Sequence, residues 1–569
     1  MKNEMSQDDV IKLASFIGGA SVAPIALYLI WAWKREPIVR IRLKGIAIRV
    51  GLTLVVACVW FLFLDAYTMY RPDYLYHHTK HSNAHLHLGM AKLFWLWALM
   101  GVWVRYLVPL MLILKKKSPG LRVRDFKYPP KDFTAIKRAF QNPTVFPLGL
   151  DVKNHLVCGL SDEQRRHHML IAGATGSGKT VWMVLMILHA IKHGRPCVII
   201  DPKGDDSTLR EIINLGRKLD PQFDKRFHLF SMSRPEQSCK YNPLKHGNAN
   251  QLKDRIMEAL NWSEQHYANM AGEFLTDFTA VIKYLGIELN LKRLSRILLY
   301  KEEQAKLQKM ILVRQKKGDE DALELWNKLQ IHFSQSHASS LAGLQAQISI
   351  LDNPTFGKLL SFETADREID LRDIRKTNGI AYFQLNTLGN GDSARRLGRM
   401  VIEDLKALTA EIYDTESDES KRRFFPVFID EFGSFAAKEF IEFLKQSRGA
   451  RMGVHLFSQG FEDLDVVSKE FRRQVKANCG TTASMRVTDS ETVEEMCSTA
   501  GTMDTLEQSY QVEGNLVANK TGMGNMRETK QMKIEHDVIK QLHTGQAVVI
   551  QSSPQSVSGI QICRAKEII

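Results

Sequence analysis

Hydrophobic positions cluster differently in the two parts of this chain. Leu13 to Trp33 is a run of 21 residues without a charge, long enough as a helix to cross about 30 Å of hydrocarbon. A second apolar run covers about 45–64, with Arg49 near one edge, and a third covers about 89–114, interrupted by Arg105. The pattern predicts three transmembrane helices within residues 1–117. A cleavable signal peptide fits less well, because Asp8 and Asp9 precede the first run and Trp31 and Trp33 close it. An arginine in a span costs about 2.5–3.5 kcal/mol on insertion scales unless it snorkels, so Arg105 reads as reaching the interface.

After Ser118-Pro-Gly120 and Pro129-Pro130, which punctuate a linker, the apolar runs become short. Residues 168–172, 197–200, 379–385, 424–429, 454–457 and 547–550 each suit a buried strand, and they alternate with helical stretches. That alternation is the pattern of a parallel α/β sheet. Between about 246 and 375 strand-like runs are scarce and helix formers dominate, as in 298–315 and 321–333. The predicted organisation has four parts. Residues 1–117 form a membrane region, and 118–160 a linker with the start of a cytoplasmic domain. An α/β domain is built from 161–245 and 376–569, and 246–375 is a helical insertion.

Composition refines this picture at three points. At 569 residues, 44 % hydrophobic and 25 % charged, the chain is neither wholly disordered nor of low complexity. Nine of its fourteen net positive charges fall in residues 1–117. They sit between the first two runs (Lys34, Arg35, Arg40, Arg42, Lys44) and after the third (Lys115 to Lys117), so both segments belong on the cytoplasmic side. That leaves the N-terminus and residues 65–88 outside. The basic run from Lys301 to Lys317 reads as a solvated helix face. The seven cysteines show no Cys-x-x-Cys pair, which fits a reducing compartment and argues against a disulfide scaffold. His77, His81 and His85 would share one helical face, but Tyr67, Tyr70, Tyr74 and Tyr76 precede them, and an interfacial belt or partner contact fits better than a metal site.

The candidate chemistry begins where the strand at 168–172 runs into Gly173-Ala174-Thr175-Gly176-Ser177-Gly178-Lys179-Thr180. Strand, G-x-x-x-x-G-K-[ST] loop and apolar helix follow in the order a phosphate loop requires. Glycines let backbone N–H groups close around phosphate oxygens, and the helix N-terminus adds its positive end. Lys179 would reach the β- and γ-phosphates of ATP, while the Thr180 hydroxyl would ligate Mg²⁺. A second acidic site is needed. The strand 424–429 ends in Asp430-Glu431, which suits a Mg²⁺-side carboxylate followed by the base that orients water. Asp201 ends a rival strand and continues as Pro202-Lys-Gly-Asp205; it reads as a structural neighbour rather than the hydrolytic acid.

These motifs, in this order and behind a membrane anchor, resemble the type IV secretion coupling proteins, the conjugative DNA-transfer ATPases. The resemblance rests on Gly173–Thr180, Ile200-Asp-Pro-Lys-Gly204, Tyr241-Asn-Pro-Leu244, Phe428-Ile-Asp-Glu431, Ser458-Gln459 and Asn478–Arg486. It departs in showing three expected spans where relatives usually show two, and in lacking the acidic tail that some relatives carry. It implies an α/β fold: a RecA-like P-loop NTPase domain with an inserted all-α domain, plus N-terminal transmembrane helices. It also implies a homo-hexameric ring at a bacterial inner membrane, delivering DNA with an attached relaxase, or protein, to a secretion channel. In the site it implies Gln459 beside Lys179 and Glu431, and Arg448 acting as an arginine finger on the neighbouring subunit; a helix C-terminal cation before Gly449, or the finger role at Arg451, stays open. Two other readings stay open: a chromosome-type double-strand DNA translocase of the same fold, and a non-catalytic membrane scaffold.

Overall fold

The computed structural model describes residues 120–569 apart from 263, 317–318, 363–365 and 514–518. The three expected membrane spans and the His77–His87 cluster lie outside the described residues. Among the described residues no helix is long and apolar enough to cross a membrane. One compact unit comprises Leu121–Leu156 and Leu160–Ile569.

Its strands are β1 (Val145–Asp151), β2 (Val157–Ser161), β3 (Met169–Ala172), β4 (Cys197–Asp201), β5 (Phe227–Ser231), β6 (Ile380–Gln384), β7 (Phe425–Ile429), β8 (Met452–Ser458), β9 (Thr481–Ser484), β10 (Thr502–Glu513), β11 (Asn519–Met532), β12 (Gln546–Ser552) and β13 (Gln555–Gln561). Helices of eight residues or more are α1 (Lys179–Lys192), α2 (Asp206–Leu219), α3 (Ala249–Ala259), α4 (Gln265–Leu285), α5 (Leu291–Leu299), α6 (Lys301–Gln315), α7 (Glu320–Ile331), α8 (Gln335–Leu351), α9 (Thr387–Thr415), α10 (Phe440–Ser447), α11 (Lys469–Asn478) and α12 (Ser490–Ala500).

From β1 the main sheet runs β1-β13-β12-β9-β3-β8-β7-β4-β6-β5. The seven strands from β9 to β5 are parallel. Every residue of β3, β4, β6, β7, β8 and β9 is buried. Strands covered on both faces read as continuous apolar runs, which is why most of them were visible in the sequence. Two details differ from expectation. The strand ending in Asp201 does follow the phosphate-loop strand in sequence, but β8 and β7 lie between them in space. The expected parallel strand at 547–550 is β12, and it runs antiparallel to both β9 and β13, because a tight hairpin joins it to β13.

Helices α3 to α8 fill the stretch between β5 and β6. They leave the α/β layer through a closed neck: Tyr241 N donates to Leu359 O at 2.8 Å, and Ile369 N donates to Lys240 O at 2.8 Å. Leu275, Phe278 and Ile282 of α4 are fully buried, as are Leu344 and Ile348 of α8. A ribbon of β10 and β11 forms a separate two-stranded sheet that the sequence reading did not anticipate.

Candidate nucleotide site

The phosphate loop sits at the C-terminal end of β3. Gly176 and Gly178 have φ of +77° and +109°, conformations that a side chain at those positions would oppose. Neighbouring strand ends hold the loop's backbone. Gly173 N donates to Ser458 O and Gln459 O, both at 3.1 Å, and Ala174 N donates to Arg486 O at 2.8 Å. On the other flank Gly545 N donates to Ser177 O at 2.9 Å, and the Thr544 hydroxyl donates to Gly176 O at 3.1 Å. Lys179 Nζ folds back onto Gly173 O. Burial pushes its pKa down, while the Glu431 and Asp430 carboxylates oppose that shift.

Asp430 and Glu431 follow β7, two strands away from β3. Asp430 is 2 % exposed. Its Oδ1 accepts from Glu431 N at 3.0 Å and its Oδ2 from Lys203 Nζ at 2.7 Å. Lys203 Nζ also lies 3.4 Å from Glu431 Oε1. Glu431 adopts φ +43°, ψ +52°, a left-handed conformation that costs a non-glycine residue on the order of 1–3 kcal/mol and recurs at functional sites. Gln459 follows β8 on the side of the loop, exposed, with its N–H donated to Asp463 Oδ2 at 2.7 Å. A cleft of about 780 Å³ opens here, lined by Glu431, Gln459, Asp463, Arg395 and Arg399.

Lys179, Thr180, Asp430, Glu431 and Gln459 thus gather at the C-terminal edge of the sheet. Arg448 does not. It is the exposed residue closing α10, just before β8 begins. The same turn of chain meets the start of β3, where a ring nitrogen of His168 lies 2.8 Å from Leu444 O. The length of β8, about 20 Å, separates Arg448 from its own subunit's phosphate loop. Sequence reasoning weighed Asp201 but passed over the lysine two residues on. Asp201 is held by Tyr382 Oη, which donates to its Oδ2 at 2.6 Å, and by Lys203 N, which donates to its Oδ1 at 2.8 Å. Burial pushes the Asp201 carboxyl up to about 6.

Hard oxygen donors from one buried aspartate and one helix-opening threonine, with an ammonium already drawn to the aspartate, fit Mg²⁺. A phosphate loop at the end of a central parallel strand, with an acid-tipped strand two places away, defines a P-loop NTPase with a helical insertion. Comparisons with known proteins narrow the class. The family described as Helicase HerA, central domain, matches residues 160–386, and that described as TraM recognition site of TraD and TraG matches residues 425–544. Type 4 coupling protein DotL of Legionella pneumophila is 22 % identical over 450 residues, 68 % of this chain and 57 % of DotL. The DNA translocase FtsK of Lactiplantibacillus plantarum is 30 % identical over 119 residues, 18 % of this chain and 15 % of FtsK. This chain therefore spans less than two thirds of either relative. The bacterial conjugative coupling protein TrwB, in an unbound form, shares the fold with a TM-score of 0.53 at 15 % identity, over 75 % of this chain and 90 % of that one. The same protein in complex with ADP and Mg²⁺ gives 0.51 at 14 % identity, over 75 % and 91 %. Over the residues these models match, the chain is thus similar to the type IV secretion coupling proteins.

Proposed function

We propose that this protein is an ATPase of the bacterial inner membrane that couples ATP hydrolysis to delivery of DNA, with its relaxase, or of protein to a type IV secretion channel, working as a homo-hexamer. The observation that carries the reading is the convergence of Lys179, Thr180, Asp430, Glu431 and Gln459 on one sheet edge, in a chain with the domain order of the coupling proteins. The names of DotL and TrwB support the secretion role, and the TrwB complex with ADP and Mg²⁺ supports the choice of ligands.

Within that reading Lys179 and the loop's N–H groups hold the phosphates, and Thr180 and Asp430 hold Mg²⁺. Bound there, Mg²⁺ would supply positive charge to offset that of the phosphates. Glu431 accepts a proton from the attacking water, with Gln459 orienting it. Arg448, too far from its own loop, completes a neighbour's site. DNA contact in such a ring runs through phosphates and is independent of sequence, so DNA-stimulated activity should fall with salt. The test is hydrolysis by the purified chain and by Lys179→Ala. The wild type should turn over ATP with Mg²⁺ and the variant should show none above background, while both melt within a few degrees of each other. Wild-type protein without turnover, or an active variant, refutes the reading.

A further inference from the structure

Lys203 belongs to the Asp201-Pro-Lys-Gly204 motif, yet nothing in the proposed chemistry uses it. Its ammonium lies 2.7 Å from Asp430 Oδ2 and 3.4 Å from Glu431 Oε1, touching both carboxylates of the acidic pair at once. The backbone around it is pinned. Lys203 N donates to Asp201 Oδ1 at 2.8 Å, and Pro202 O accepts from Thr387 N at 2.7 Å. A Cβ on Gly204 would come within 2.7 Å of the Asn386 side chain. The side chain itself is 38 % exposed, so the ammonium has a path to solvent.

Two adjacent carboxylates, one almost fully buried, repel each other and are costly without a cation. A divalent cation ligated by Asp430, directly or through water, would occupy the region the ammonium now fills, and two cations there exclude each other. We propose that Lys203 is a resident counter-cation of the Asp430–Glu431 pair, a positioning residue that keeps a nucleotide-free subunit from taking up the metal alone and is displaced when the metal arrives with the triphosphate. The inference rests on reading Asp430 and Glu431 as the metal-facing pair. It makes metal uptake depend on nucleotide: the phosphates supply the extra negative charge that lets Mg²⁺ win the position.

The experiment titrates Mn²⁺ into the nucleotide-free full-length chain and follows the free Mn²⁺ signal by electron paramagnetic resonance. Wild type and Lys203→Arg should bind weakly. Lys203→Met should bind at least about tenfold more tightly, the effect of removing one close positive charge. The gain should vanish in Lys203→Met combined with Asp430→Asn. Added Mg²⁺ without nucleotide should raise the melting temperature of Lys203→Met and leave that of wild type unchanged. If Lys203→Met does not fold, Lys203→Gln, which keeps a hydrogen bond to Asp430, is measured in its place. Unchanged Mn²⁺ affinity in the folded variant overturns the proposal. So does a loss of nucleotide affinity without any metal gain, which assigns the lysine to a phosphate instead. Neither readout requires hydrolysis, so failure here is separable from failure of the ATPase reading.

Discussion

Glu431 is the residue where function and stability pull apart. Its left-handed backbone is one that glycine adopts without strain, and its carboxylate stands beside that of Asp430. Glu431→Gln should therefore keep MgATP binding while hydrolysis falls by about 10²–10⁴, the usual contribution of a positioned base. Glu431→Gly should lose hydrolysis equally and melt at or above the wild-type temperature, because strain leaves with the side chain. Calorimetry on both variants checks this, and a glycine variant that melts well below wild type contradicts it. The identities of Lys179, Thr180, Asp430 and Glu431 could be read from spacing, since a phosphate loop and an acid-tipped strand each carry their own pattern. The strain at Glu431 and the partner of Lys203 could not. Both arise where β4 and β7 end side by side, and their loops meet across 227 residues of sequence.

Among the elements, the seam between the helical insertion and the α/β layer carries a titratable cluster. Glu258 on α3 is pushed up to about 8, first by burial, then by its hydrogen bond to Glu439 and the charges of Glu439 and Glu403. Lys406 opposes the shift. The folded cluster thus keeps a proton that the unfolded chain releases near 4.5. The stability it contributes is complete below that value, declines as pH rises, and is lost by the time pH passes about 8. Urea unfolding midpoints should fall between pH 5.5 and 8, and Glu258→Gln should flatten the slope. An unchanged slope in the variant would remove Glu258 from the account. The element pattern itself was legible where burial is two-sided, as in Cys197–Asp201 or Phe425–Ile429. It was illegible in the β10–β11 ribbon, where polar residues such as Asp504 opposite Lys530 outnumber apolar ones and leave no continuous hydrophobic run.

For the whole molecule the position of Arg448, remote from its own nucleotide, makes ring assembly part of catalysis in the proposed function. Arg448→Ala and Lys179→Ala should each be inactive alone, and mixing them should recover activity wherever an intact loop meets an intact arginine. The best-studied arginine fingers are worth about 10³–10⁵ in rate. Activity of Arg448→Ala by itself, or no recovery in rings shown to be mixed, ends the trans assignment. The proposed membrane topology has its own check. A cysteine at position 80 should react with an impermeant reagent from the periplasm and one at position 42 should not; the reverse result inverts the orientation. The parallel strands of the NTPase sheet could be read from their apolar runs. The folding of β12 and β13 against β9 could not, since antiparallel closure is decided by a turn rather than by composition.

The phosphate-loop strand also sets a timetable for synthesis. β3 lies between β8 and β9, and its neighbour across one contact, Val454 with His168, is 286 residues away in the chain. The clasp from Thr544 onto Gly176 spans 368. At ribosomal speeds of about 5–20 residues per second, the glycine loop waits on the order of a quarter-minute to a minute for the strands that shape it. Until residue 452 is reached β3 has neither flanking strand, and its unpaired backbone edges stand open to any passing chain. A nascent chain stopped before residue 452 therefore carries the full phosphate-binding motif and no pocket, and calls for chaperone cover until the last strands arrive.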